Sequence, residues 1–302
     1  MMTMVDRDNA FECILGGITL MNTSKIGGEQ KMNAADSFFY PKEKKECLVS
    51  NQKILVNYSL LPEGTYPERK GKVCSPQCPN FYERASGDFE LFDKPGITDT
   101  PLWSVVVDPE FSRFSYRFCP EIFRKINFPR FAINIFLLQH SFLNNNGLII
   151  HATGGSVQDK GIVFAAPSGT GKSTLTRLLL LDLDNRIFSE DRLIARSVDE
   201  RCWNLWGTPW VGENEVTCNE CIPLSALVFL TQAPKTSVTT LTPSVGLHRL
   251  LQVASIPWYS EKWIKKGLAV CERLVQRIPV FELAFRPDQS AVQAVKRLAD
   301  EL

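Results

Sequence analysis

The side chains best placed for chemistry lie together in Ala166-Pro167-Ser168-Gly169-Thr170-Gly171-Lys172-Ser173-Thr174. This segment fits the Walker A glycine-loop pattern, with alanine at 166 where the first glycine usually stands. Alanine is still small enough for a tight strand-to-loop turn. Gly169 and Gly171 let the backbone curl so that successive N–H groups face inward onto phosphate oxygens. Lys172 can reach the β- and γ-phosphates as a point charge, and the Ser173 hydroxyl can ligate Mg²⁺. A helix opening near Ser173 directs its N-terminal dipole at the same anion. Ser168 through Thr174 are therefore the expected nucleotide-binding residues, with ATP and Mg²⁺ as the expected cofactors.

A phosphate loop needs an acidic partner. Ser189-Glu190-Asp191 follows the strand-like run Arg186–Phe188, which would bring two carboxylates to a strand end on the phosphate side. One can hold Mg²⁺ and the other can accept a proton from a substrate alcohol. His151 stands twenty-one residues before Lys172, on the strand before the loop strand. A histidine there can orient an acid or donate to a phosphoryl oxygen. Glu190, Asp191, His151 and Lys172 are the candidate catalytic residues; Ser173 and one of the two carboxylates are the candidate metal ligands.

These residues need a scaffold to position them. Phe131–Leu143 is apolar on a wide face and is followed by Gly147, which predicts a helix and its stop. Leu148–Ala152 and Gly161–Ala166 read as short apolar strands joined by a turn through Gly154-Gly155 and Gln158-Asp159-Lys160. Leu175–Leu183 reads as a helix; Leu193–Ser197, Ala226–Thr231 and Ile278–Phe285 read as strands. Asp288 is the expected N-cap of a final helix carrying Val292, Val295 and Leu298.

Residues 1–100 are irregular, with turn formers at Gly16-Gly17, Gly27-Gly28, Pro62-Glu63-Gly64 and Cys74–Asn80, and strand-like runs at Lys53–Tyr58 and Trp103–Val107. Lys42–Lys45 reads as a solvated surface segment. The expected fold is α/β: a P-loop sheet flanked by helices over residues 126–302, with a small α+β domain over 1–125.

Composition narrows the function. Of 302 residues, 44% are hydrophobic and 22% charged, as in a globular protein with a full core. A formal net charge of +1 lacks the basic excess of a nucleic-acid binder. No apolar run approaches the roughly 18 residues of a membrane span. The N-terminus shows no charged and apolar leader pattern, so the expected location is cytoplasmic, with no membrane partner. Nine cysteines are an odd number, which argues against a complete disulfide framework and for reduced, buried thiols.

The order His151, a strand, Ser168–Ser173, then Ser189-Glu190-Asp191-Arg192 resembles the catalytic core of HPr kinase/phosphorylase, and more distantly ATP-dependent phosphoenolpyruvate carboxykinase. The resemblance covers roughly residues 130–235. It implies Lys172 on the phosphates, Ser173 on Mg²⁺, Glu190 as general base, Asp191 on the metal and His151 beside the base. This sequence has glutamate where the family commonly has a first aspartate, and it lacks the family's Arg-Gly-Arg-Asn-like loop. Gly207-Thr208-Pro209-Trp210-Val211-Gly212-Glu213 is similar to a Gly-Thr-Pro loop of smaller relatives, some of which accompany lasso-peptide and PqqD/radical-SAM peptide-maturation cassettes. A structural turn capped by Pro209 is the other reading of that segment.

The implied activity is γ-phosphoryl transfer to a hydroxyl, on a serine of a peptide or protein or on a small molecule. The resemblance also leaves room for a homo-oligomer. Arg249, Arg277 and Arg286 are candidates to complete the phosphate clamp, and the sequence does not choose among them. Two other functions compete: a carboxykinase-type enzyme, and a non-catalytic nucleotide-binding accessory of a peptide cassette. Cys74/Cys78 and Cys218/Cys221 have spacings suited to a shared zinc ion, a redox pair at Cys218/Cys221, or independent thiols.

Overall fold

A computed structural model of the chain describes residues 12–22, 53–93, 100–123, 133–182, 184–197, 199 and 202–302. The expectations for Gly27-Gly28, for Lys42–Lys45 and for a boundary at 125/126 lie outside the described residues. Those described form a mixed α/β fold of two mixed sheets and six helices.

The first sheet contains β1 (Glu12–Leu15), β2 (Ile18–Asn22), β3 (Lys53–Leu60), β4 (Lys72–Ser75), β5 (Cys78–Glu83), β6 (Phe89–Phe92), β7 (Trp103–Val107) and β8 (Arg113–Phe118). They lie in the order β1-β2-β3-β8-β7-β6-β5-β4. Alternation puts Ile54 and Val56 of β3, and Phe114, Tyr116 and Phe118 of β8, on the buried face.

After the single turn of α1 (Pro120–Phe123) comes α2 (Ile133–Asn144), close to the predicted helix. Its stop is Asn146 in the left-handed region (φ 56°), one residue before the predicted Gly147.

The second sheet comprises β9 (Gly147–Val157), β10 (Lys160–Ala165), β11 (Asn185–Ser189), β12 (Arg192–Ser197), β13 (Trp203–Trp206), β14 (Cys221–Gln232), β15 (Ser237–Thr240) and β16 (Val280–Phe285). Between them run α3 (Lys172–Leu180), α4 (Pro243–Leu251) and α5 (Glu261–Arg277), and α6 (Gln289–Glu301) closes the chain.

One expectation changes here. Gly154 and Gly155 lie within β9, and the β9–β10 turn is Gln158-Asp159 alone. The glycines are needed because neighbouring strands press in from both sides. A Cβ on Gly154 would stand 2.2 Å from the Ile162 carbonyl oxygen, and one on Gly155 2.1 Å from that of Arg186.

The two long strands β9 and β14 each serve two sets of partners. Pairings β9–β12, β12–β13, β13–β14, β14–β10 and β10–β9 close a ring of five strands. β10, β14 and β16 run parallel, so their carboxyl ends come out on one side.

Alternate residues of β10 enter different cores. Ile162 and Phe164 pack with Leu175 and Leu179 of α3 and with Val292, Val295 and Leu298 of α6. Val163 and Ala165 join a cluster that continues through α2 and α5 into the first sheet, including Phe142, Trp263 and Tyr116. Asp288 caps α6 as predicted, its carboxylate accepting from the Ser290 N–H at 2.9 Å.

Candidate phosphate-binding site

The glycine loop, residues 166–171, leaves the carboxyl end of β10 and enters α3 at Lys172. This is the position at which parallel α/β sheets bind ligands. Gly169 (φ 80°) and Gly171 (φ 102°) both adopt the left-handed region. A Cβ on Gly171 would press on the Phe285 ring at 3.0 Å, whereas space above Gly169 is open. Gly171 caps α3 without a side-chain hydrogen bond, so no capping side chain occupies the first-turn N–H groups. The helix is aimed by a buried bond between Thr153 Oγ1 of β9 and Thr176 Oγ1, 2.7 Å apart.

The loop is closed by its own side chains. Lys172 Nζ donates to the carbonyls of Ala166 (2.7 Å) and Pro167 (3.1 Å), and Thr170 Oγ1 donates to Pro167 O (3.0 Å). Burial holds the Lys172 ammonium below the ordinary lysine range; Asp191 pulls it back up and Arg192 pushes it further down.

Glu190 and Asp191 form the turn between β11 and β12. The β12–β9 register sets Arg192 opposite His151, and Ala152 N donates to Asp191 O at 3.1 Å. His151 Nδ1 consequently lies 3.5 Å from Asp191 Oδ1, while Arg192 Nε approaches Oδ2 at 3.4 Å. Burial, Lys172 and Arg192 depress the His151 pKa, with Asp191 opposing them, so the imidazole is neutral at pH 7. The histidine therefore contacts Asp191, not the Glu190 carboxylate that the family resemblance placed beside it.

Glu190 is almost fully buried, at 3% exposure. Its carboxylate accepts from Asn214 twice, Oε1 from the backbone N–H and Oε2 from the side-chain amide.

Asn214 belongs to a loop, residues 207–218, that clasps the acidic turn. Thr208 Oγ1 donates to Arg192 O (2.6 Å), Ser189 Oγ to Trp210 O (3.4 Å), and Cys218 N to Phe188 O (2.8 Å). The clasp passes so close to its own return that a Cβ on Gly207 would lie 1.9 Å from Cys218 O. The Gly-Thr-Pro segment thus has a structural task next to the carboxylates.

These elements enclose a cleft of about 310 Å³. Of the residues singled out by sequence, His151, Ser168, Gly169, Gly171, Lys172, Ser173, Thr174, Glu190 and Asp191 line it; Thr170 does not. Sequence reasoning missed Arg177, a further lining residue. Its spacing from Ser173, one helical turn, puts both on one face of α3 and was a usable signal.

None of the three expected clamp arginines lines this cleft. Arg249 is paired with Glu282 (2.6 Å), Arg286 with Asp288, and Arg277 ends α5.

The cysteines do not converge on one site. Among the described residues no group of three or more His, Cys, Asp or Glu could hold a metal ion. Cys74, Cys78 and Cys218 are free thiols, each pushed up by burial, Cys74 to about 11. Cys221 is disulfide-bonded, which departs from the expectation of wholly reduced thiols and removes Cys218/Cys221 as a redox pair.

No helix among the described residues is long and apolar enough to cross a membrane. No protein-family model and no curated protein matches this chain.

Proposed function

We propose that this chain is an ATP- and Mg²⁺-dependent phosphotransferase with a P-loop core of the HPr kinase type, acting on a hydroxyl group of a peptide, a protein or a small molecule. The observation that carries the reading is the meeting, in one cleft, of the glycine loop with Glu190, Asp191 and His151. They come from a loop, a turn and a separate strand, and a phosphate-cradling loop beside metal-holding and base carboxylates is what phosphoryl transfer requires together.

The residues fit the groups they would hold. Open space above Gly169 and the uncapped start of α3 suit phosphate oxygens. Ser173 and Asp191 would hold Mg²⁺, which when bound offsets charge on the phosphates. Lys172 would exchange its two loop carbonyls for β- and γ-phosphate oxygens.

Glu190 is the general base. Two of its roughly four lone-pair sites are taken by Asn214, which leaves others to accept the acceptor's hydroxyl proton. The neutral imidazole of His151 orients Asp191. Arg177 adds a cation on the Ser173 face of α3.

The deciding experiment is ADP formation from Mg-ATP by the wild type, Lys172→Ala and Glu190→Ala, with and without serine-containing peptides. Turnover that depends on both side chains and on an acceptor supports a kinase. Nucleotide binding without turnover on any acceptor would replace this reading with that of a binding accessory.

A further inference from the structure

Asn214 belongs to no motif and does not line the cleft, yet it touches both halves of the site. It lies in the turn Gly212–Glu215, closed by Glu215 N donating to Gly212 O at 3.4 Å, with Glu215 in the left-handed region at φ 55°. This turn presents the Asn214 backbone N–H and side-chain amide to opposite oxygens of one carboxylate, that of Glu190. The same amide nitrogen also reaches Ser173 O, at 3.5 Å, in the first turn of α3. Both side-chain contacts are to acceptors, so they agree on which end of the amide is the NH₂. Gly212 completes the arrangement, because a Cβ there would fall 2.8 Å from Glu190 Oε1. The carboxylate is thus boxed between Gly212, where a Cβ would press on it, and Asn214, whose backbone N–H holds Oε1 and whose side-chain amide holds Oε2.

We propose that Asn214 is a positioning residue: it fixes the Glu190 carboxylate and ties the acidic turn to the phosphate-binding end of α3. This rests on the phosphotransferase reading given above. Glu190 is buried and its side chain has three rotatable bonds. Without the Asn214 side chain the carboxylate would keep the backbone N–H on Oε1 but lose the amide on Oε2, and with it its fixed direction. The phosphate loop has its own supports in Lys172, Thr170 and the Thr153–Thr176 bond, and none of these involves Asn214. Nucleotide binding and turnover should therefore respond differently to its loss.

The test compares wild type, Asn214→Ala, Glu190→Asp, Asn214→Gln and the Asn214→Gln/Glu190→Asp double variant. The readouts are kcat, KM for Mg-ATP, and direct binding of a fluorescent ATP analogue. Asn214→Ala is expected to lower kcat by about 10- to 100-fold, the range for loss of a residue supporting a functional side chain. Its affinity for the nucleotide should stay within about threefold of wild type. The double variant moves one methylene from the acid to the amide, and it should recover part of the kcat lost by each single variant. An unchanged kcat in Asn214→Ala, a parallel loss of nucleotide affinity, or purely additive single variants would each overturn the proposal.

Hydrogen exchange of the 207–216 segment in Glu190→Ala supplies a readout that needs no activity. Faster exchange there, with the β10–α3 region unchanged, is expected if the clasp is real, and unchanged exchange would refute it. A wild type that binds no nucleotide would instead fail the phosphotransferase reading, whatever the exchange shows.

Discussion

Replacing Lys172 by methionine tests whether this lysine is kept for a ligand or for the fold. In the structure Lys172 is 8% exposed and its ammonium makes two bonds to loop carbonyls. Hydrogen bonds to a charged group contribute about 1.5–3 kcal/mol each. Desolvating a buried ion costs several kcal/mol, and the depressed pKa shows that this penalty is felt. The two nearly cancel. A cation whose folded pKa lies below the usual 10.5 opposes folding at every pH below that folded value, and the penalty fades as pH rises toward 10.5.

Methionine keeps the length and removes the ion, so the desolvation cost that disappears offsets the two hydrogen bonds given up. The net change for the free protein should stay within about 1 kcal/mol. At about 2.1 cal/mol/K per residue over 302 residues, that is under about 2 °C in Tm.

With Mg-ATP the outcome diverges. At a ligand concentration of about 100 Kd the wild type gains about 2.7 kcal/mol, or about 4 °C. Loss of the ammonium should weaken binding about 100-fold, leaving a shift below about 1 °C. Thermal scanning with and without Mg-ATP reads both quantities. A Lys172→Met protein that melts many degrees lower without ligand, or that is stabilised by Mg-ATP as much as the wild type, would refute this account.

Three other outcomes follow from the same geometry. Burial drives the His140 pKa down to about 3, between the Phe136 carbonyl and the Tyr259 hydroxyl, so the folded protein stays unprotonated where the unfolded chain takes up a proton. Stability should fall by up to about 1.4 kcal/mol per pH unit below 6.5, and a His140→Asn variant measured by urea unfolding should show a shallower acid dependence. Gly207→Ala would bring a methyl to 1.9 Å from Cys218 O, so we expect a loss of at least about 2–3 kcal/mol and exposure of the clasp to protease; wild-type stability would show that the loop can yield. Asp191→Asn removes the one charge that raises the His151 pKa, so the imidazole should titrate at lower pH than in the wild type by ¹⁵N NMR; an unmoved midpoint would mean that the two side chains do not interact.

What the sequence determined by itself was local. The two glycines of the loop between β10 and α3 announced its shape, since their left-handed torsions are costly for other residues. Alternating and helical apolar patterns gave β7, β12, α2 and the Asp288-capped α6, because each is decided by which face meets a core and by a nearby stop. Chain order placed Glu190 and Asp191 at a strand end for the same reason.

Tertiary structure decided what depends on contacts between distant segments. The amphipathic α5 went unread, as did β13, whose four residues form a strand only because β12 and β14 flank it. Gly154 and Gly155 look like a turn until β10 and β11 close in on them. The partner of His151 depended on the β9–β12 register, in which a shift of one residue would turn its side chain to the other face. Asn214 came into play only when the clasp folded back over the acidic turn. No local propensity encodes a hydrogen bond between side chains 24 residues apart.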